Sequence, residues 1–263
     1  MFPLQRLGVE VWPVHTVQFS NHTGYGETKG RVFDASLIRD VVGGIEKRGA
    51  LGDCDGVLSG YIGGVDIGEA ILNAVETVKR ANPGARYCCD PVIGNSERGI
   101  FVRDGIAAFM REKAVPAADL VSPNQFELDR LTGRASDTLA GARDAVRVLH
   151  DLGPRTVLVT SLRTSDTPAD AIDVLASDES GQFRLRTPRL AVAANGAGDM
   201  IAALFFALYL RLGKIDEALA HAGSAVFGVL AKTAEAGAPE MQIVAAQEEI
   251  VAPSRLFEAK QLT

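Results

Sequence analysis

The run Met200-Ile201-Ala202-Ala203-Leu204-Phe205-Phe206-Ala207-Leu208-Tyr209-Leu210 is apolar nearly all round. Without a polar stripe it predicts a helix buried in the protein, not an amphipathic surface helix. Asn195-Gly196-Ala197-Gly198-Asp199 stands directly before it. A glycine-rich turn opening onto a helix leaves backbone N–H groups pointing outward, and with the helix dipole these suit an anion such as phosphate. Asp199 at that mouth is placed either to take a proton from a hydroxyl nucleophile or to cap the helix. Short glycine motifs match widely, so the pentapeptide alone leaves both readings open.

The 263 residues are ample for one large α/β domain or two small ones. With 47% apolar and 23% charged residues the composition is that of a soluble globular enzyme, not a disordered chain. A net charge of −6 and a pI near 5.3 argue against a nucleic-acid or anionic-membrane surface. No apolar run is long enough to span a bilayer, and Met1–Gly8 lacks the apolar core of a signal peptide. Cys54, Cys88 and Cys89 are odd in number and read as reduced thiols of a cytoplasmic protein.

The elements come in alternation. Residues 2–7 read as the end of a helix and Val9–Val14 as a short strand, followed by a polar, glycine-rich loop from Thr16 to Gly30. Apolar spacing predicts helices around 37–45, 67–78, 105–113, 142–149 and Ile215–Leu230. Short buried strands are expected at Gly56–Gly60, Tyr87–Cys89, Asp119–Val121 and Thr156–Thr160. Alternation at 171–176 and 182–187 around Asp178-Glu179-Ser180-Gly181 signals a hairpin. From Gln242 on, a weaker strand or loop is expected. Strands alternating with helices predict an α/β chain: one domain over 1–263, with a mainly parallel sheet and helices on both faces. Ligands of such sheets bind beyond the carboxyl ends of the strands. Ser59-Gly60-Tyr61, Asp90, Ser122–Asn124 and Thr160 all follow strands there.

Asp90, fixed by Pro91, suits Mg²⁺ with retained waters, or simply a turn cap. Asn124 and Glu127 are spaced for outer-shell Mg²⁺ binding or for a capping box. His22 reads as solvated or as touching substrate, and Tyr61 as packing or as a stacking surface for an aromatic ligand. Gly-x-x-x-x-Gly-Lys-Ser/Thr is absent, so phosphoryl transfer of the Walker class is excluded.

Together these segments resemble a pyridoxal kinase of the ribokinase-like superfamily, of the bacterial pyridoxal/pyridoxamine kinase type. The resemblance runs through Trp12-Pro13, Thr16–Thr23, Leu58-Ser59-Gly60-Tyr61, Cys89–Gly94, Pro123–Leu128 and Gly196–Asp199. It implies a three-layer ribokinase-like fold and ATP-dependent phosphorylation of the 5′-hydroxymethyl group of pyridoxal. Asp199 would then be the base and Asn195, Gly196, Ala197 and Gly198 an anion hole. Thr23, Gly24 and Tyr61 would meet the vitamin. Asp90, Ser122, Glu127, Thr160, Thr187, Pro188, Arg189 and Leu190 would serve ATP, with Asp90 and Glu127 holding Mg²⁺ through water. Relatives of this kind are homodimers.

The chain departs from the family pattern in three places. Met1-Phe2-Pro3 begins inside a helix that in relatives follows a strand and glycine turn of about two dozen residues, the size of a βα step. Asn95 stands where many relatives have an acidic residue, and Glu27-Thr28 replaces a lid segment that often holds tryptophan. Two alternatives follow: a hydroxymethylpyrimidine-type kinase, or a truncated, non-catalytic protein that binds nucleotide or pyridoxal phosphate.

Overall fold

A computed structural model describes residues 1–192 and 195–263. The chain opens with α1 (Phe2–Arg6) and a small antiparallel pair, β1 (Val17–Phe19) with β2 (Gly30–Val32). Next come α2 (Ala35–Lys47), β3 (Gly56–Ser59), α3 (Val65–Ala81) and β4 (Arg86–Cys89). A minimal hairpin, β5 (Gly94–Asn95) with β6 (Gly99–Ile100), follows. After it α4 (Ile106–Phe109), a π-helical turn (Met110–Ala114) and α5 (Val115–Ala117) run on as one helical stretch. Then come β7 (Leu120–Val121), α6 (Gln125–Thr132), α7 (Leu139–Leu152) and β8 (Thr156–Leu162). The hairpin β9 (Ala171–Asp178) and β10 (Gly181–Pro188) precedes α8 (Ala197–Leu212) and α9 (Ile215–Glu235), and α10 (Gln247–Val251) and β11 (Ala259–Gln261) finish the chain.

Seven strands form one mixed sheet in the order β11-β10-β9-β8-β7-β4-β3. β3, β4, β7 and β8 pair in parallel, and β9, β10 and β11 extend the sheet antiparallel. Successive strand residues point to opposite faces. On β8, Val157 and Val159 enter one apolar layer and Leu158 the other, all fully buried. The first layer holds Ile67 of α3, Ile106 of α4, Leu128 of α6 and Val146 of α7. The second holds Leu204, Phe205 and Leu208 of α8 and Ala222 and Val229 of α9. The apolar run therefore forms the buried helix expected of it, and each large side chain it buries contributes about 1.5–3 kcal/mol. Gly196 (φ 91°) and Gly213 (φ 65°) bound α8 in left-handed conformations that favour glycine. No helix among the described residues is long and apolar enough to cross a membrane.

Three expectations need correction. Val9–Val14 forms no strand among the described residues; Pro13, which lacks an N–H, interrupts it, and the strand forms within the expected loop, at Val17–Phe19. β3 is the free edge of the sheet, not a buried strand, and Leu58 on it is 37% exposed. The segment after Gln242 contains a helical turn, α10, before β11 completes the antiparallel edge.

Gly68 on α3 is buried, and a Cβ there would overlap the ring of Phe109. Gly68→Ala should therefore lower stability by about 1–3 kcal/mol in denaturant melts, against the gain in helix propensity. A more stable variant would show that α3 and α4 are less closely packed than described.

Candidate active site

The parallel strands deliver their carboxyl ends to one rim of the sheet. Ser59, Asp90, Ser122 and Thr160 stand along it, none more than 8% exposed. The chain knits the rim together through its backbone. Asp90 N–H donates to the Ser59 carbonyl (2.9 Å), Ser122 N–H to that of Cys89 (2.9 Å) and Thr160 N–H to that of Pro123 (2.9 Å). Beneath it the hydroxyls of Ser59 and Tyr87 share a buried hydrogen bond of 2.8 Å. The Ser122 hydroxyl, also buried, has no partner among the described residues.

Glu127 sits in the first turn of α6, and the capping box is real. Asn124 Oδ1 accepts from Glu127 N–H (3.0 Å), and Glu127 Oε2 accepts from Asn124 N–H (2.9 Å). The same carboxylate reaches further: its Oε1 accepts from the N–H groups of Ile93 (2.9 Å) and Gly94 (3.3 Å). Asn124 Nδ2 donates to the Gly94 carbonyl (2.9 Å). Glu127 thus anchors the β5–β6 hairpin. Burial outweighs the three amide bonds and pushes its carboxyl up to about 7.

Asp90 is raised well above the ordinary carboxylate range, first by burial and then by the charges of Glu127 and Asp199. Asp199, in the first turn of α8, is solvent-accessible but surrounded by protein, and this loss of hydration raises its carboxyl too. Its own backbone N–H, and His22 from the loop between β1 and β2, pull it back down. A Cβ built on Gly60 would stand 3.8 Å from Asp199 Oδ1, so the turn after β3 comes directly up to this group. The structure therefore brings Asp90 within electrostatic reach of both Glu127 and Asp199. Asn195, Gly196 and Asp199 also border an open hollow of about 290 Å³ lined by Pro3, Leu4, Met241 and Ile243. A larger hollow, about 680 Å³, lies at the opposite end of the sheet beside Arg86, Asp119 and Thr156, away from these carboxylates.

The remaining residues fall around this centre. Thr23 and Gly24 form a 3₁₀ turn in the loop between β1 and β2, capped by His22 Nδ1, which accepts from Gly24 N–H (3.0 Å). The loop is tied across to the segment before α10, where Tyr25 OH donates to the Pro239 carbonyl (3.3 Å). The Tyr61 carbonyl accepts from Thr16 Oγ1 (2.9 Å) and its side chain packs on the first apolar layer, so Tyr61 is partly structural. Thr187 and Pro188 end β10, two strands over from Thr160, and Arg189 N–H donates to the Asp170 carbonyl (2.7 Å). Arg186 grips the buried Asp173 through two 2.7 Å bonds and so fixes that strand end. Neither Tyr61 nor Thr187–Leu190 borders the smaller hollow. His22 and Gly60 come near Asp199 although sequence spacing gives no sign of it; only the fold joins their loops.

The chemistry of this donor set fits a divalent cation. Asp90 is raised by burial and by the charges of Glu127 and Asp199, and its carboxylate accepts no hydrogen bond from the described residues. No three His, Cys, Asp or Glu side chains among the described residues are grouped to enclose a metal by themselves. Mg²⁺, which keeps several waters, suits such an open set.

The raised carboxyl of Glu127 carries a sign that can be checked. A carboxyl that holds its proton more tightly when folded adds stability below its unfolded value, and that stability is lost as pH rises through its folded value. For Glu127 the window runs from 4.5 to about 7. Thermal melts of metal-free protein should show the parent losing stability relative to Glu127→Gln across this window. A difference independent of pH would contradict the burial argument.

Comparison with known proteins identifies the family. The family model described as phosphomethylpyrimidine kinase matches residues 53–243. The chain is 53% identical to the pyridoxal kinase PdxY of Granulibacter bethesdensis, over 99% of this chain and 92% of that protein. It is also 53% identical to that of Rubrobacter xylanophilus, over 100% and 91%. A solved structure of pyridoxal kinase from Leishmania donovani in complex with ADP and pyridoxamine superposes with a TM-score of 0.90 at 27% identity, covering 100% of this chain and 92% of that one. The three-layer ribokinase-like arrangement is thus confirmed, and the chain belongs to the pyridoxal kinase family.

Proposed function

We propose that this chain transfers the γ-phosphoryl group of ATP to the 5′-hydroxymethyl oxygen of pyridoxal, giving pyridoxal 5′-phosphate and ADP. The observation that carries the proposal is Asp199 at the head of a largely buried helix, beside the Gly60 turn and within electrostatic reach of Asp90. The close relatives are named pyridoxal kinases, and a similar structure holds ADP with pyridoxamine.

In this reading Asp199 takes the proton as the hydroxymethyl oxygen attacks phosphorus. The amides of Asn195, Gly196, Ala197 and Gly198, at the positive end of the α8 dipole, stabilise charge on the transferring group. Asp90 and Glu127 would hold Mg²⁺ through water, where the ion would supply positive charge beside the nucleotide phosphates. Ser122, with its unpaired buried hydroxyl, and Thr160 meet the nucleotide, whose far edge lies along Thr187, Pro188, Arg189 and Leu190. Thr23, Gly24 and Tyr61 position the vitamin ring. Positioning and electrostatics supply most of the rate, as is general for phosphoryl transfer.

The same reading has the chain act as one kinase domain in the cytoplasm. Its three cysteines are free, and burial pushes the Cys89 thiol up to about 12, far from a reactive thiolate. Homodimerisation belongs to the reading as well, supported by exposed Leu37 and Val41 one turn apart on α2.

Asp199→Asn removes the base while keeping size and helix position. It should lower kcat by about 10²–10⁴-fold and leave ATP affinity within about three-fold. Turnover within a few-fold of the parent would remove Asp199 from the role of base.

A further inference from the structure

The β5–β6 hairpin touches both halves of the site. At its base, Ile93 and Gly94 donate to Glu127 and the Gly94 carbonyl accepts from Asn124. At its tip, Asn95 Oδ1 accepts from the N–H groups of Glu97 (3.1 Å) and Arg98 (2.9 Å), which sets the direction in which Arg98 leaves the turn. The guanidinium is held over the Phe101 ring, 5.1 Å from its centroid. From there it lies against Gly24: a Cβ on that glycine would stand 2.8 Å from Arg98 Nη1 and 3.2 Å from Nη2. Gly24 does not occupy the left-handed region, so no backbone demand accounts for glycine at this position. What a side chain would obstruct is the approach of Arg98 on one side and of His22, whose Nδ1 would be 2.8 Å away, on the other. Arg98 makes no ion pair among the described residues, so no carboxylate holds it away from this contact.

We infer that Arg98 is a positioning residue that clamps the Thr23–Tyr25 turn over the acceptor, with Gly24 as its landing surface. This rests on the kinase reading above. The short β5–β6 hairpin then links the carboxylate of Glu127 on the nucleotide side to the turn that covers the alcohol. The clamp orients the acceptor and keeps water from the γ-phosphoryl group, the two tasks a closing loop performs in such enzymes.

The test compares the parent with Arg98→Ala, Gly24→Ala and the double variant. Arg98 is exposed, and its loss leaves the core intact. Each single variant should raise KM for pyridoxal about five- to ten-fold while KM for ATP stays within about two-fold. ADP should form in excess over pyridoxal phosphate, because an unclamped turn admits water. The double variant should fall within about two-fold of the worse single one, since both break one contact. Tyr25 is 41% exposed, and chymotrypsin should cut after it faster in Arg98→Ala than in the parent. Unchanged KM for pyridoxal, equimolar products and an unchanged cutting rate in Arg98→Ala would overturn the clamp. A parent that forms no pyridoxal phosphate would overturn the kinase reading instead, and the cutting rates would still decide the clamp.

Discussion

The charges of Glu127 and Asp199 both bear on the buried Asp90, and the rim of the sheet is organised around that repulsion. Asp90, Glu127 and Asp199 arrive from β4, α6 and α8, and burial raises each of them. Such a set costs free energy as anions and is relieved by protons or by a cation. The fold holds it regardless, because each carboxylate is fixed by elements with other reasons to be where they are. Asp90 follows a strand whose Cys88 and Cys89 are fully buried. Glu127 is bound by three amides. Asp199 rides on a helix that packs almost all round.

That division of labour explains why the parallel half of the sheet carries the site. Its strands all end at the same rim, so short turns after β3, β4 and β7 converge without long loops. The antiparallel half contributes stiffness and a boundary. The Arg186–Asp173 pair and the β9–β10 register fix the strand end that leads into Thr187–Leu190.

Much of this was legible in the sequence where local pattern and burial coincide. The Met200–Leu210 run, the β8 strand and the hairpin around Asp178-Glu179-Ser180-Gly181 each carry a period or a glycine signal that the structure honours. What was not legible depends on partners distant in sequence. The three residues of β1 need β2, more than ten positions on, and have no periodicity of their own. β11 is a strand because β10 offers an unpaired edge some seventy residues earlier. Asp90 and Glu127 could be picked out because strand ends and helix caps leave a mark in the sequence. Gly60 beside Asp199, and Arg98 against Gly24, could not, since only the fold brings their loops together.

The family match itself names a phosphomethylpyrimidine kinase, whereas the close relatives are named pyridoxal kinases. Acceptor choice is therefore the sharpest test of the account. The measurement is competition between pyridoxal and 4-amino-5-hydroxymethyl-2-methylpyrimidine for ATP in the presence of Mg²⁺, read as the ratio of kcat/KM values. The account predicts that pyridoxal is preferred by about 100-fold or more, as a site built on the polar groups of one ring should reject another. Equal use of the two alcohols, or preference for the pyrimidine, would contradict it.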